Sequence, residues 1–84
     1  KWYTLAARQG NATAQDKLGF MYQYGEGVLT DKKRAYMWYN IAAYKGSDIG
    51  ASNKSMLAND MSLSQIDKAQ DMSNICLESG YTDC

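Results

Sequence analysis

Apolar and polar positions recur along this chain with the period of a helix. From Asp31 onward, Ala35, Trp38, Tyr39, Ala42 and Ala43 fall at i, i+3, i+4, i+7 and i+8, one face of an amphipathic helix. Thr30 or Asp31 is placed to cap its start by accepting a backbone N–H bond, and Gly46 can supply the left-handed residue that ends it. Upstream, Ala14, Leu18, Met21 and Tyr22 predict another helix, capped by Asn11 and closed by Gly25. Gly19 lies inside that helix. A glycine there costs about 1 kcal/mol relative to alanine, so its presence predicts that another helix approaches closely. Downstream, a helix is expected around residues 50–59. Ser62-Leu-Ser-Gln65 reads as a capping box, with Ser64 an alternative cap. It opens a last helix whose inner face is Ile66, Ala69, Met72, Ser73 and Cys76, and Gly80 stops that helix. Its outer face (Asp67, Lys68, Asp71, Asn74, Glu78) is polar.

The pattern is also written twice. Trp2-Tyr3 returns as Trp38-Tyr39, Ala6-Ala7 as Ala42-Ala43 and Gly10 as Gly46, each 36 residues on. A period between about 20 and 50 residues marks a solenoid, in which each unit is one supersecondary element stacked on the next. Between the copies, Gly25-Glu-Gly27-Val28 forms the turn of a helical hairpin, and Val28 is expected to anchor that turn on the core. The predicted fold is all-α: an α/α superhelical solenoid of antiparallel helix hairpins, with about five helices.

AxxxLGxxYxxGxGV, here Ala14 to Val28, followed by Asp31, Ala35, Trp38-Tyr39, Ala42-Ala43 and Gly46, closely resembles the Sel-1-like repeat. That repeat is a branch of the tetratricopeptide-like solenoids. On this resemblance residues 1–10 are the second helix of a preceding, truncated repeat. Residues 11–46 are a complete repeat, and residues 47–84 a partial repeat plus a C-terminal capping helix. The chain thus reads as the C-terminal portion of a longer parent whose remaining repeats are its natural neighbours. The resemblance implies a non-enzymatic scaffold for protein–protein contacts, of the kind found in bacterial envelope assembly, signalling and host interaction. It also implies that Ala14, Leu18, Gly19, Tyr22, Gly25, Gly27, Ala35, Trp38, Ala42 and Ala43 hold the fold. Some cysteine-rich relatives have been associated with β-lactam binding or hydrolysis, which is the alternative reading.

Composition narrows the chemistry. In 84 residues, nine basic side chains balance nine acidic ones, so no overall field favours nucleic acid. No apolar run reaches the roughly 20 residues that span a bilayer, and direct membrane insertion is not expected. There is no histidine, hence no imidazole base, and no Ser-x-x-Lys, Gly-x-Ser-x-Gly or phosphate-cradling glycine loop. Two cysteines with scattered carboxylates do not make a zinc site. Neither catalytic residues nor a cofactor are expected. Lys32-Lys33-Arg34 reads as a solvated face opposing the helix dipole. The tripeptides at Asn11 and Asn53 match the glycosylation pattern, but Asn11 already has a capping role.

Two groups of residues remain. Trp2, Tyr3, Tyr22, Trp38 and Tyr39 occupy motif positions and are assigned to the core. Phe20 and Tyr24, at i and i+4, lie outside the Ala14–Leu18–Met21 face, at positions the repeat leaves free. The 36-residue shift carries them to Met56 and Asp60. With Lys17 and Gln23 as a polar rim, Phe20, Tyr24 and Met56 are expected to line a concave groove for a protein or peptide ligand. Cys76 and Cys84 are separated by seven residues, enough for the tail to fold back beyond Gly80 and bring the Cα atoms within bonding range. A bridge is expected there in preference to two free thiols. An even cysteine count with no metal option points to an oxidising compartment, the bacterial periplasm or the outside of the cell.

Overall fold

The computed structural model describes residues 2–84, and at Trp2 the backbone only; the expectation that the Trp2 side chain packs in the core lies outside the described residues. Five helices follow in order: α1 Trp2–Arg8, α2 Ala12–Tyr24, α3 Lys32–Tyr44, α4 Asp48–Ala58 and α5 Leu63–Glu78. Among the described residues there is no strand. The chain is an all-α stack of helix hairpins, an α/α solenoid.

Local hydrogen bonds set the helix boundaries. Asn11 Oδ1 accepts from the Ala14 N–H at 3.0 Å and starts α2. Asp31, rather than Thr30, caps α3 by accepting from the Arg34 N–H at 3.1 Å. Ser62 and Gln65 complete a reciprocal capping box at the start of α5, with bonds of 3.1 and 2.9 Å. Helix α4 begins a little before the expected residue 50, because Ser47 Oγ accepts from the Gly50 N–H at 3.0 Å and so serves as its cap. Helices α1, α3 and α5 end alike. In each, the glycine N–H returns to a carbonyl three residues back and the next N–H to one five residues back: Gly10 and Asn11, Gly46 and Ser47, Gly80 and Tyr81. Gly46 needs this freedom most, with φ of +102°.

Packing centres on α3, which lies against α2, α4 and α5. Of the expected face residues, Ala35, Trp38, Tyr39 and Ala42 are buried and Ala43 is half-buried, while Tyr36, Met37 and Ile41 are buried as well. The three extra residues follow from neighbours on three sides: a helix enclosed this way has little solvent face left. One apolar cluster joins Ala7 of α1, Ala14 and Leu18 of α2, Met37, Trp38 and Ile41 of α3 and Cys76 of α5. Another joins Ala35, Tyr36 and Tyr39 to Leu57 of α4 and Ala69 of α5. Tyr3 and Tyr22 pack on the first cluster while only partly buried. Each fully buried side chain of Met or Ile size contributes about 1.5–3 kcal/mol, so α3 supplies the largest share of the apolar stabilisation. Val28 sits differently from expectation. It is half-buried and lines a cleft with Leu5, Leu18, Met21 and Tyr22, outside both clusters. Buried Gln15, which nothing in the periodicity distinguishes, donates from Nε2 to the Ala7 carbonyl at 3.0 Å and ties α2 to the end of α1.

Gly19 has the close neighbour its position predicts, and the neighbour is a side chain. A Cβ built there would lie 2.6 Å from both Cδ1 and Cε1 of Tyr39, a ring that is itself 1% exposed and so has nowhere to retreat. Gly19→Ala is therefore expected to destabilise the protein by about 1–3 kcal/mol despite alanine's better helix propensity, and Gly19→Leu by more. Urea unfolding of the two variants checks this; a gain in midpoint for either would contradict the packing of Tyr39 against α2.

Candidate functional site

Helices α2 and α4 rest side by side on α3, and the seam between them is where the free positions of the sequence gather. Its floor is Tyr39. The ring lies against the bare backbone of Gly19, and its hydroxyl donates to Gln23 Oε1 at 2.8 Å. Burial, followed by the neighbouring Tyr24 and Asp16, pushes the Tyr39 hydroxyl up to about 12 from an ordinary 10, so it stays a neutral donor. At the other end of the seam, Ser47 Oγ donates to Asp16 Oδ2 at 2.6 Å while accepting from Gly50. Burial raises the Asp16 carboxyl above its usual range, and the Ser47 hydrogen bond draws it partly back. Gly50 lets α4 come this close. A Cβ there would meet Asp16 Oδ1 at 2.7 Å, and Ala42 Cβ and the Tyr39 carbonyl oxygen at 2.9 Å.

Above this floor the seam opens into two adjoining cavities. One, of about 300 Å³, is lined by Phe20, Gln23, Tyr24, Tyr39, Asn53, Met56 and Asp60. The other, of about 480 Å³, has walls that include Tyr3, Asp16, Lys17, Phe20, Ile49 and Asn53. Phe20 and Asn53 border both. Of the residues expected from the sequence, Phe20, Gln23, Tyr24 and Met56 thus share one cavity, and Lys17 lines the next with Phe20. Tyr24 and Met56 are about 60% exposed, at 61% and 60%, and Phe20 is 39% exposed, values that leave their apolar surfaces open to a ligand. The Phe20 and Tyr24 rings tilt against each other with centroids 4.8 Å apart. Lys17 Nζ lies 5.9 Å from the Tyr3 ring centroid and 5.8 Å from that of Phe20.

Gln23 has a second role that its polarity did not disclose, since it accepts from Tyr39. Sequence reasoning also missed Asn53 and Ile49 as lining residues. The 36-residue shift could have found Asn53, the counterpart of Lys17; nothing in the pattern marks Ile49. The remaining candidates lie elsewhere. Cys76 and Cys84 lie side by side, with Cα atoms 4.6 Å apart, brought there by a tail in which both Gly80 and Tyr81 take left-handed backbone and Tyr81 packs on the first cluster. In the basic run, Lys32 and Arg34 are exposed and Lys33 is half-buried. Arg34 Nε lies 3.6 Å from Asp31 Oδ2, and its guanidinium sits 5.8 Å from the centre of the Tyr22 ring. Asn11 is occupied as a cap, and Asn53 is half-buried in the seam. Among the described residues no group of three or more Cys, Asp or Glu is placed to hold a metal ion, and no helix is long and apolar enough to cross a membrane.

Comparison with known proteins gives the architecture its relatives. The family model described as Sel1 repeat matches residues 1–11 and 12–47. An uncharacterized Sel1-like repeat-containing protein of Schizosaccharomyces pombe is 46% identical over 50 residues, which is 60% of this chain and 7% of that protein. The chain therefore spans a small fraction of the length of the curated relative it matches. Sel1 repeats are protein-interaction modules.

The buried hydroxyl of Tyr39 makes a titration prediction. Its ordinary value is 10 and its value in the folded protein about 12. The contribution to stability is therefore present below pH 10 and is lost as the pH rises towards 12. Absorbance titration at 295 nm should show a late phase from the Tyr39 phenol, together with unfolding, and Tyr39→Phe should remove that phase. A late phase unchanged by Tyr39→Phe would place the Tyr39 hydroxyl in water.

Proposed function

This chain belongs to the Sel1 repeat family, and we propose that it works as a non-enzymatic binding scaffold that holds a peptide or helix of a partner protein in the seam between α2 and α4. One observation carries the reading. Two aromatic rings and a thioether from different repeats, Phe20, Tyr24 and Met56, line the same cavity while remaining substantially exposed. Large apolar side chains left open above a rigid, hydrogen-bonded floor are the usual anchors of protein interfaces. The floor itself is closed by Tyr39 and Gln23, whose hydrogen bond ties α2 to α3 beneath the groove.

The compartment belongs to the same proposal. A Cys76–Cys84 bridge pins the last turn of α5 to the tail, where a solenoid end would otherwise fray. Closing so short a loop is worth on the order of 2–3 kcal/mol. Persistence of such a bridge calls for an oxidising compartment, the bacterial periplasm or the outside of the cell.

Replacing Phe20 and Tyr24 together by alanine should weaken capture of the full-length protein's partner more than tenfold, at least ~1.4 kcal/mol, while the melting temperature changes little. Unfolding of the double variant would assign those rings to the core and remove the site. Nitrocefin turnover by the full-length protein would favour the β-lactam reading instead. For the tail, intact mass of protein from its native compartment should be two hydrogens below that of the reduced chain, with no thiol detected by Ellman's reagent. Two reactive thiols would dismiss both the bridge and the compartment.

A further inference from the structure

The seam is not symmetric along its length. The cavity lined by Thr13 and Ile49 lies where α2 and α4 begin, and it contains Lys17; the cavity lined by Tyr24 lies where they end, and it contains Asp60. Among the described residues the recorded ion pair is Arg34 with Asp31, and neither Lys17 nor Asp60 takes part in it. Of the other carboxylates at the Lys17 end, Asp16 is engaged by Ser47 and Asp48 sits exposed in the first turn of α4. The helix ends add to the same axis: two N-termini, with their partial positive charge, lie towards Lys17, and two C-termini towards Asp60. The Lys17 ammonium, held between the Tyr3 and Phe20 rings, stands at the edge of the apolar cavity, so a ligand filling that cavity brings its own charge beside it.

On the reading that the seam binds a protein segment, we infer that the segment is polar in the electrostatic sense. It is a short apolar stretch flanked by an acidic side chain that pairs with Lys17 and a basic one that faces Asp60. From Lys17 to Tyr24, the position equivalent to Asp60, α2 rises about 10 Å at 1.5 Å per residue, and with the reach of the side chains at either end about five residues of extended chain place one charge beside each. The apolar side chains between the two charges fill the cavities on either side of Phe20. The charges fix direction and register, and the cavities supply most of the affinity. Exposed ion pairs of this kind are small individually, so the discrimination expected at each end is modest.

The probe is the peptide acetyl-Glu-Phe-Ala-Leu-Lys-amide, titrated into the nitrogen-15-labelled protein by NMR, beside a version with glutamine in place of the glutamate. The glutamate peptide should shift amides of α2 and α4 and bind about threefold more tightly than the glutamine peptide. Lys17→Gln should weaken the glutamate peptide by that same factor and leave the glutamine peptide unchanged, while Lys17→Arg preserves the difference. About 0.5 M salt should erase it. Equal effects of Lys17→Gln on both peptides would overturn the charge pairing. If Met56→Ala then still weakens both, the groove reading survives and only the polarity fails. If Met56→Ala also has no effect, both are wrong. Absence of saturable binding by either peptide at millimolar concentration overturns the inference, and leaves the groove to the test with the full-length partner.

Discussion

Helix α3 is enclosed on three sides, and the rest of the molecule is arranged by what it takes to enclose it. A 13-residue helix with seven buried residues has no partner face to spare, so α2, α4 and α5 each take one sector of its surface. The Tyr39 side chain is the tightest point. It is nearly inaccessible, presses against α2 where Gly19 offers no side chain, and hands its hydroxyl to Gln23. A protein interior tolerates a buried hydroxyl only when it is paired, and this pairing joins residues from the two helices of one hairpin.

The same logic governs the second contact of the seam. Asp16, Ser47 and Gly50 join the first helices of consecutive repeats, with Ser47 both donating to Asp16 and capping α4. One hydroxyl therefore starts a helix and sets the distance of that helix from its neighbour. Tyr39–Gln23 ties α2 to α3, and Asp16–Ser47 ties the start of α4 to α2, leaving the stretch above them open. The cavities beside Phe20 are the space left by that constraint, which is why an open apolar groove coexists with a closed core.

Much of this was legible in the residues. Helical periodicity located α2, α3 and α5, the 36-residue copy located α1, and Asn11 and the Ser62–Gln65 box marked two of the starts, because periodicity and capping act within about four residues of chain. The demand for a close approach at Gly19 was legible for the same reason: a glycine in a helix carries a local cost that something else must offset. The 36-residue shift relates Phe20 to Met56 and Tyr24 to Asp60, since a repeat places equivalent positions on equivalent surfaces.

Other features were decided by the tertiary structure alone. That Tyr36, Met37 and Ile41 are buried depends on α5 covering a side of α3 that its own pattern leaves ambiguous. That Gln23 is a partner of Tyr39 and not simply a polar rim, and that Ser47 answers to Asp16, depends on groups 16 and 31 residues apart meeting at hydrogen-bond distance. Periodicity and capping report a residue's relation to its own helix. The distance and rotation between helices are set by side-chain volumes and buried polar pairs drawn from different helices, and those become definite only when the helices pack.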